Sequence, residues 1–261
     1  MRSQAVIQEN DNDFISYPKI RGFSDLAYAL LTLNSFPLVL LYIIMIQLSG
    51  HWTRRTKPRD PRLVMIIYNF ACSILNGVCV ILFFLGIYLK GELFTRKTNL
   101  PTKIAFNIYY FSKVFELLDT VFMVIRHKRR QITFLHVFHH ATMVLLCNFG
   151  VITGYRISFS YPMGVNSLIH VFMYAYYGLS AAGSPLVASQ VIKKRLTQMQ
   201  LAQFYTDLVP ITYGWYLGQY CIYSLFYAFS MIALFSNFYV KAYWRKEFKK
   251  INGEGKEEKA D

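Results

Sequence analysis

The chain has 261 residues, of which 54% are hydrophobic and 17% aromatic, whereas only 16% are charged. This balance exceeds ordinary soluble composition on the apolar side. The formal net charge of +14 could suggest a nucleic-acid partner. The basic residues, however, form short clusters between apolar runs rather than one stripe, so we expect no nucleic-acid partner and assign the charge to membrane topology.

Long uncharged runs indicate a membrane protein, because a membrane-spanning helix needs only about 20 apolar residues. Cutting the apolar regions at their charge clusters predicts seven spans. They cover residues 26–49, 63–89, 104–125, 132–153, 161–181, 195–215 and 218–241. We therefore predict an all-α polytopic membrane protein with one membrane domain at 26–243. A polar N-terminal segment at 1–25 precedes it, and a basic, polar tail at 244–261 follows it.

The basic residues predict the orientation of the spans. If seven spans alternate, most of the 28 Lys and Arg residues fall on the side of the C-terminal tail. Loops that carry an excess of Lys and Arg stay in the cytosol. We therefore expect a lumenal N-terminus and a cytosolic C-terminus.

The third predicted span contains charged residues within the segment KVFELLDT. Lys113, Glu116, Asp119 and Thr120 share one stripe of a helix there. Two interpretations stay open. A buried Lys and a carboxylate can neutralise each other and only fix helix packing, or these side chains can serve a functional site.

The fourth predicted span begins with a cluster of histidines, in the segment FLHVFHHATM. His136, His139 and His140 stand at i, i+3 and i+4, which places their imidazoles on one helix face. One buried histidine is usually structural, but each of three in hydrocarbon needs a hydrogen-bond partner. The cluster therefore favours a functional site.

The fifth and sixth predicted spans each carry polar side chains along one face. In the fifth, NSLIHVFMYAYY, these residues are Asn166, His170, Met173, Tyr174 and Tyr177. In the sixth, TQMQLAQFYTD, they are Thr197, Gln200, Gln203, Phe204 and Asp207. Packing explains most membrane aromatics, and hydrogen bonds between helices explain the glutamines equally well. His170 is the residue of these two spans that we expect to be functional.

Counting from the predicted cytosolic ends places the polar faces of four helices in the cytosolic half of the membrane. The lumenal half is left almost wholly apolar. Such a bundle would hold an amphiphile with its reactive head among the histidines and its tail deeper. Basic clusters at the mouth of the bundle could bind phosphate groups of that head. The excess of Lys and Arg in cytosolic loops explains these clusters equally well. They comprise Arg126, Lys128, Arg129, Arg130, Lys193, Lys194 and Arg195.

Several chemical interpretations fit clustered histidines in a membrane. A di-iron desaturase or hydroxylase uses imidazole ligands, but His51 and His127 lie in basic loops and leave only four candidates. Zinc needs fewer ligands than a di-iron centre, so a zinc site stays open as an interpretation. A neutral imidazole can instead act as base or nucleophile, because its ordinary pKa of about 6.5 leaves much of it unprotonated at pH 7. A seven-span receptor or transporter is the non-enzyme alternative.

Four segments, KVFELLDT, FLHVFHH, NSLIHVFMYAYY and TQMQLAQF, resemble in this order the fatty acid elongase family, the membrane-bound 3-ketoacyl-CoA synthases of the endoplasmic reticulum. The resemblance implies condensation of a long-chain acyl-CoA with malonyl-CoA, which releases carbon dioxide and coenzyme A. It also implies that spans two to seven form a six-helix barrel around a substrate tunnel. Beyond the two CoA substrates it implies no cofactor and no metal.

The resemblance also implies roles for individual residues. His139 matches the acyl-accepting nucleophile, while His136, His140 and His170 would orient groups, transfer protons or stabilise an enolate. The residues expected to bind substrate are Lys113, Glu116, Asp119, Asn166, Tyr174, Tyr177, Gln200 and Gln203. The expected partners are membrane lipid and the ketoacyl-CoA reductase, dehydratase and enoyl reductase of the elongation cycle. A homodimer is compatible with the resemblance.

Overall fold

The computed structural model describes residues 23–95, 97–152 and 157–245. Within these ranges the chain is helical and contains no β-strand, so the predicted all-α class is confirmed for them. Most of the predicted N-terminal segment and most of the C-terminal tail lie outside the described residues.

Nine α-helices follow one another in the described ranges. They are α1 (Phe23–Leu31), α2 (Phe36–Arg55), α3 (Arg62–Lys90), α4 (Leu100–Phe115), α5 (Leu118–Ile125), α6 (Phe134–Ile152), α7 (Ser160–Ala182), α8 (Gln190–Tyr216) and α9 (Ile222–Tyr239). Single 3₁₀ turns precede α6, α7 and α8 at Arg129–Gln131, Ile157–Phe159 and Pro185–Val187. A π-helical turn, Val240–Trp244, extends α9.

Four of the described helices are long and apolar enough to cross a membrane. They are Phe36–Arg55, Arg62–Lys90, Phe134–Ile152 and Ile222–Trp244. The last three coincide with the second, fourth and seventh predicted spans, and all four make the chain a membrane protein. The first predicted span, 26–49, is wrong in its bounds, because α1 ends at Leu31 and α2 begins at Phe36 and continues to Arg55. The other three predicted spans fall on α4 with α5, on α7 and on α8. Polar and charged residues lower the hydropathy of these helices, and their crossing of the membrane stays a prediction.

Helix α3 shows how the chain sorts its side chains. Ile67, Ile74 and Ile81 recur every seven residues and are exposed on one face. Asn69 and Asn76 are buried on the other, where each amide nitrogen donates to a carbonyl one turn earlier in the helix. Apolar groups outside and paired polar groups inside form the arrangement that hydrocarbon surroundings require.

The third predicted span is not one continuous helix. It is interrupted at Glu116 and Leu117, between α4 and α5. There the backbone forms i→i+3 hydrogen bonds, from Leu117 N to the Val114 oxygen (3.2 Å) and from Asp119 N to the Glu116 oxygen (3.1 Å). Such tighter turns mark departures from α-helix and are often functional. The sequence pattern contains no Gly or Pro at this point, so the single helix predicted there is wrong.

Helix α3 lies against α4 and, most extensively, against α7. Helix α8 contacts α7 and α9, while α6 contacts α4 and α9. Helix α2 packs against α5 and α6. These contacts bring the polar segments of α4 to α8 towards one interior.

The end of the bundle away from the basic clusters is less apolar than predicted. The Ser35 hydroxyl donates to Asn148 Oδ1 (3.0 Å), and both residues are buried. The Tyr220 hydroxyl donates to the Ser158 carbonyl oxygen (2.5 Å). These contacts are exceptions to the almost wholly apolar character predicted for that end, because helix ends and interhelical turns also need polar contacts.

The close approach of α3 and α4 depends on Gly86. A Cβ there would overlap the Thr102 hydroxyl, and the Asn99 amide donates to the Gly86 carbonyl (2.7 Å). We predict that Gly86→Ala lowers the stability by about 1–3 kcal/mol through overpacking. Gly77→Ala is the matched control, since its nearest neighbour would be Val171 Cγ2 at 3.9 Å. It should be neutral or stabilising. Unfolding in detergent measures both, and equal effects would contradict the packing account.

Candidate active site

The four histidines selected from the sequence converge in the interior. His136, His139 and His140 come from the first two turns of α6, and His170 comes from the middle of α7. Ring centroids lie 4.4 Å apart for His136 and His140, 5.5 Å for His139 and His140, and 6.3 Å for His139 and His170. The helical spacing of the motif therefore does produce one cluster of imidazoles.

These rings line a cavity of about 920 Å³, which we call the histidine cavity. Its wall includes all four histidines together with Asp119 and Asn166. The same cavity extends to basic side chains, which we call the basic rim. They are Arg62, Arg126, Arg130 and Lys193. The volume falls within the range of small-molecule sites, about 300–1,000 Å³.

A buried ion pair stands behind His170. Lys113 Nζ lies 2.9 and 3.1 Å from the two carboxylate oxygens of Glu116, and both side chains are at most 1% exposed. His170 Nδ1 lies 3.1 Å from Lys113 Nζ and 3.3 Å from Glu116 Oε1. Asn76 on α3 donates to the same carboxylate oxygen (3.4 Å). The pair therefore fixes one nitrogen of the His170 ring and leaves the rest of it facing the cavity.

The ion pair lies at the interruption between α4 and α5. Glu116 lies at the break, where its carboxylate turns onto Lys113 only three residues earlier. Asp119, one short turn further, lines the cavity instead. It accepts a hydrogen bond from the Tyr174 hydroxyl (2.7 Å), and its Oδ2 lies 4.0 Å from His140 Nε2. Two carboxylates of one motif thus serve different histidines.

His139 differs from His136 and His170 in its hydrogen bonding. His136 Nε2 lies 2.8 Å from the Thr120 hydroxyl, and His170 is held by the ion pair. His139 Nδ1 is buried and has no hydrogen-bond partner among the described residues. A buried polar atom without a partner costs about 1–3 kcal/mol, so its presence on the wall of a cavity needs an explanation. This nitrogen therefore contributes no structural hydrogen bond within the described residues.

The predicted substrate-binding residues divide into two groups. Asp119, Asn166, Tyr177, Gln200 and Gln203 lie on the cavity wall. Lys113, Glu116 and Tyr174 are fully or almost fully buried behind it and contact the wall residues. They touch His170 and Asp119, which line the cavity.

The two glutamines of α8 are oriented by neighbouring side chains. Gln200 Nε2 lies 3.4 Å from the Met173 sulfur, and Gln203 Nε2 donates to Asp207 Oδ2 (3.3 Å). Asp207 is buried, and its second carboxylate oxygen has no partner among the described residues. The stripe predicted on the sixth span is present, and it faces the cavity from Thr197 to Phe204.

The structure also divides the basic residues predicted at the mouth. Arg126, Arg130 and Lys193 line the cavity, whereas Lys128, Arg129, Lys194 and Arg195 are not on its wall. Arg62 joins the basic rim and was not selected from the sequence. Its guanidinium donates to the carbonyl oxygens of Ala181 and Ala182 (both 2.7 Å), which holds the end of α7 at the rim.

The sequence patterns did not identify three further residues that lie near the histidines. The Tyr109 hydroxyl donates to Asn166 Oδ1 (2.7 Å), Asn76 contacts Glu116, and the Tyr42 hydroxyl lies 2.9 Å from that of Thr120. Thr120 was recognised on the polar stripe. The other three carried no signal, because a single Tyr or Asn in an apolar run is ordinary packing or capping material.

No three His, Cys, Asp or Glu side chains in the described residues are arranged to hold one metal ion. The cysteines at 72, 79 and 147 are buried thiols without disulfide partners. The chemistry available from this arrangement is that of imidazoles, a carboxylate and hydroxyl donors at the inner end of a cavity with a basic rim.

The fold and the site define the class of the molecule. It is an all-helical membrane protein whose buried histidines line a cavity with a basic rim. Comparison with known proteins then identifies its family. The family model described as ELO, the GNS1/SUR4 family, matches residues 32–251. The chain therefore belongs to the ELO family.

Individual relatives cover most of the chain. Very long chain fatty acid elongase 4 of Macaca mulatta is 37% identical over 226 residues, or 80% of this chain and 70% of that protein. The protein of the same name from Homo sapiens is 36% identical over 225 residues, with the same coverage. Very long chain fatty acid elongase 5 of Xenopus tropicalis is 34% identical over 251 residues, or 88% of this chain and 80% of that protein.

The buried ion pair provides a test of the site's architecture. Lys113→Met leaves Glu116 as an uncompensated buried carboxylate, and Glu116→Gln leaves the ammonium, so we predict that each costs about 3–5 kcal/mol of unfolding free energy. The double variant removes both charges and should lose less than either single variant. Denaturant titration in detergent measures the cycle.

Lys97→Met, at an exposed lysine in the loop between α3 and α4, is the control and should change stability little. Strictly additive losses in the cycle would show that the two charges do not interact.

Proposed function

We propose that this protein is a condensing enzyme of fatty acid elongation. It joins a long-chain acyl-CoA to malonyl-CoA and forms 3-ketoacyl-CoA, carbon dioxide and coenzyme A, through an acyl group carried on His139. Its similarity to proteins named very long chain fatty acid elongases supports the reaction class. The histidine cavity supports the location of the chemistry.

The reaction has two steps. A neutral ring nitrogen of His139 attacks the thioester carbonyl, the carbon–sulfur bond breaks, and the thiolate leaves with the proton of the ring as free coenzyme A. Malonyl-CoA then loses carbon dioxide, and the resulting enolate carbon attacks the acyl-imidazole. The carbon–nitrogen bond breaks, and the imidazole regains a proton from solvent.

One observation carries this assignment of the nucleophile. His139 Nδ1 is buried without a hydrogen-bond partner among the described residues, whereas Thr120 and Lys113 contact the rings of His136 and His170. A ring that is fixed by packing but not committed to a structural hydrogen bond at that nitrogen is available for covalent chemistry. His136, His140 and His170 surround it and can stabilise charge or move protons.

The basic rim is suited to the phosphates of coenzyme A. Arg62, Arg126, Arg130 and Lys193 line the part of the cavity nearest to the helix ends. Charge-assisted hydrogen bonds from Arg and Lys are the strong contacts that phosphates form with proteins. We propose that the CoA head binds there, with the thioester at the histidines and the acyl tail deeper in the bundle.

We further propose seven membrane spans, with spans two to seven arranged as a six-helix barrel around the tail. The order of helix contacts supports this arrangement, because α3 contacts α4, α4 contacts α6, α6 contacts α9, α9 contacts α8, α8 contacts α7, and α7 contacts α3. Helix α2 would then lie outside the barrel. The charge distribution supports a lumenal N-terminus and a cytosolic C-terminus.

We propose the endoplasmic reticulum membrane as the location, on the basis of the family resemblance. The 3-keto product must be reduced, dehydrated and reduced again before a further round. A ketoacyl-CoA reductase, a dehydratase and an enoyl reductase are therefore the expected partners. The reaction itself needs no cofactor beyond its two CoA substrates.

The direct test is a half-reaction with purified protein. Acyl-CoA alone should release up to one equivalent of free thiol, and later addition of malonyl-CoA should yield 3-ketoacyl-CoA. His139→Ala should reduce both products to background, because it removes the acyl acceptor. Thiol titration and mass spectrometry of the products measure the two steps.

His51→Ala is the matched control, because His51 is exposed on α2 and does not line the histidine cavity. It should keep full activity. Failure of the unsubstituted, folded protein to form either product would remove the proposed function. Full activity of His139→Ala would remove only the nucleophile assignment.

A further inference from the structure

A chain of hydrogen bonds connects helix α2 to the histidine cavity. The Tyr42 hydroxyl lies 2.9 Å from the Thr120 hydroxyl, which in turn lies 2.8 Å from His136 Nε2. The three residues come from α2, α5 and α6. Tyr42 is 4% exposed and Thr120 fully buried, so water does not compete for these bonds.

The direction of the chain follows from what each group can donate. A phenol carries one proton, and a buried hydroxyl that donates to nothing is costly. Within the part of the chain that the structure describes, Thr120 is the hydrogen-bond partner of the Tyr42 hydroxyl. Tyr42 therefore donates to Thr120. Thr120 then has one proton to donate, and His136 Nε2 is the acceptor that the structure shows beside its hydroxyl, so Thr120 donates to His136.

This direction fixes the state of His136. Since Nε2 accepts the Thr120 proton, a neutral ring carries its own proton on Nδ1. The ring lies on the wall of the histidine cavity, and no partner for Nδ1 is found among the described residues. The Nδ1 proton is thus available to a bound molecule.

We propose that Tyr42 is a positioning residue that acts through Thr120 to hold His136 in the Nδ1-protonated tautomer. In this tautomer His136 offers a hydrogen-bond donor to the carbonyl oxygen of the bound thioester. The identity of that acceptor rests on the proposed function, whereas the tautomer does not. Tyr42 itself lies outside the cavity wall and touches no reacting atom.

The proposal gives His136 and His139 complementary roles. The attacking ring must present a lone pair, and the carbonyl oxygen gains negative charge as the attack proceeds. A neighbouring ring locked as a donor stabilises that charge without needing to reorganise. A helix packed outside the predicted barrel would thereby contribute to the rate of the reaction.

The tautomer can be measured without turnover. Full-length protein carrying ¹⁵N-labelled histidine is examined by ¹⁵N NMR, which separates protonated from unprotonated ring nitrogens, and His136→Gln assigns the His136 signals. The unsubstituted protein should show a proton on His136 Nδ1. Tyr42→Phe frees the Thr120 hydroxyl to accept as well as donate, so a mixture of both tautomers should result.

Three further variants make the test specific. Thr120→Val removes the hydroxyl and should shift the tautomer, whereas Thr120→Ser keeps it and should retain the state of the unsubstituted protein. This pair also replaces Tyr42→Phe if that variant does not fold. Tyr220→Phe removes another buried phenol hydroxyl, the donor to the Ser158 carbonyl, and should leave His136 unchanged.

Kinetics provide a second readout. Tyr42→Phe should lower kcat roughly three- to tenfold, the scale of one neutral hydrogen bond, with KM for acyl-CoA unchanged. A proton on Nε2 in the unsubstituted protein, or a tautomer that ignores both Tyr42→Phe and Thr120→Val, would overturn the proposal. The expected tautomer in a protein that forms no 3-ketoacyl-CoA would support the positioning role while refuting the proposed function.

Discussion

A polar side chain in a hydrocarbon environment must find its partner within the protein, because lipid offers none. The ion pair between Lys113 and Glu116 meets this requirement at the centre of the bundle, where both side chains are almost completely buried. It also holds His170 and accepts a hydrogen bond from Asn76. Helices α3, α4 and α7 are thereby joined at one depth, and the other histidines pack beside that junction.

The same requirement separates structural groups from reactive ones. The Thr120 hydroxyl contacts Nε2 of His136, and the Lys113 ammonium contacts Nδ1 of His170. Asp119 lies near His140. The hydrogen bonds of His136 and His170 orient their rings beside His139, whose buried Nδ1 lacks such a partner among the described residues. A preorganised shell around one uncommitted imidazole is the arrangement expected of a nucleophile in a dry site.

Sequence patterns predicted the parts of this site that depend on helical periodicity. The spacing of the three histidines on α6 and the polar face of α8 follow directly from 3.6 residues per turn. The break at Glu116 and Leu117 could not be predicted, because no Gly or Pro marks it in the sequence. The contact of Tyr42 with Thr120 could not be predicted either, since it depends on how α2 packs against α5, and such packing leaves no local sequence pattern.

The central claim is that His139 accepts the acyl group. The most direct measurement is peptide mass spectrometry of protein mixed with acyl-CoA in the absence of malonyl-CoA and quenched at mildly acidic pH. The account predicts an added acyl mass on the peptide that contains the α6 histidines, with fragmentation placing it on His139. An adduct on Cys147, or a released thiol without any adduct on a histidine, would contradict the account.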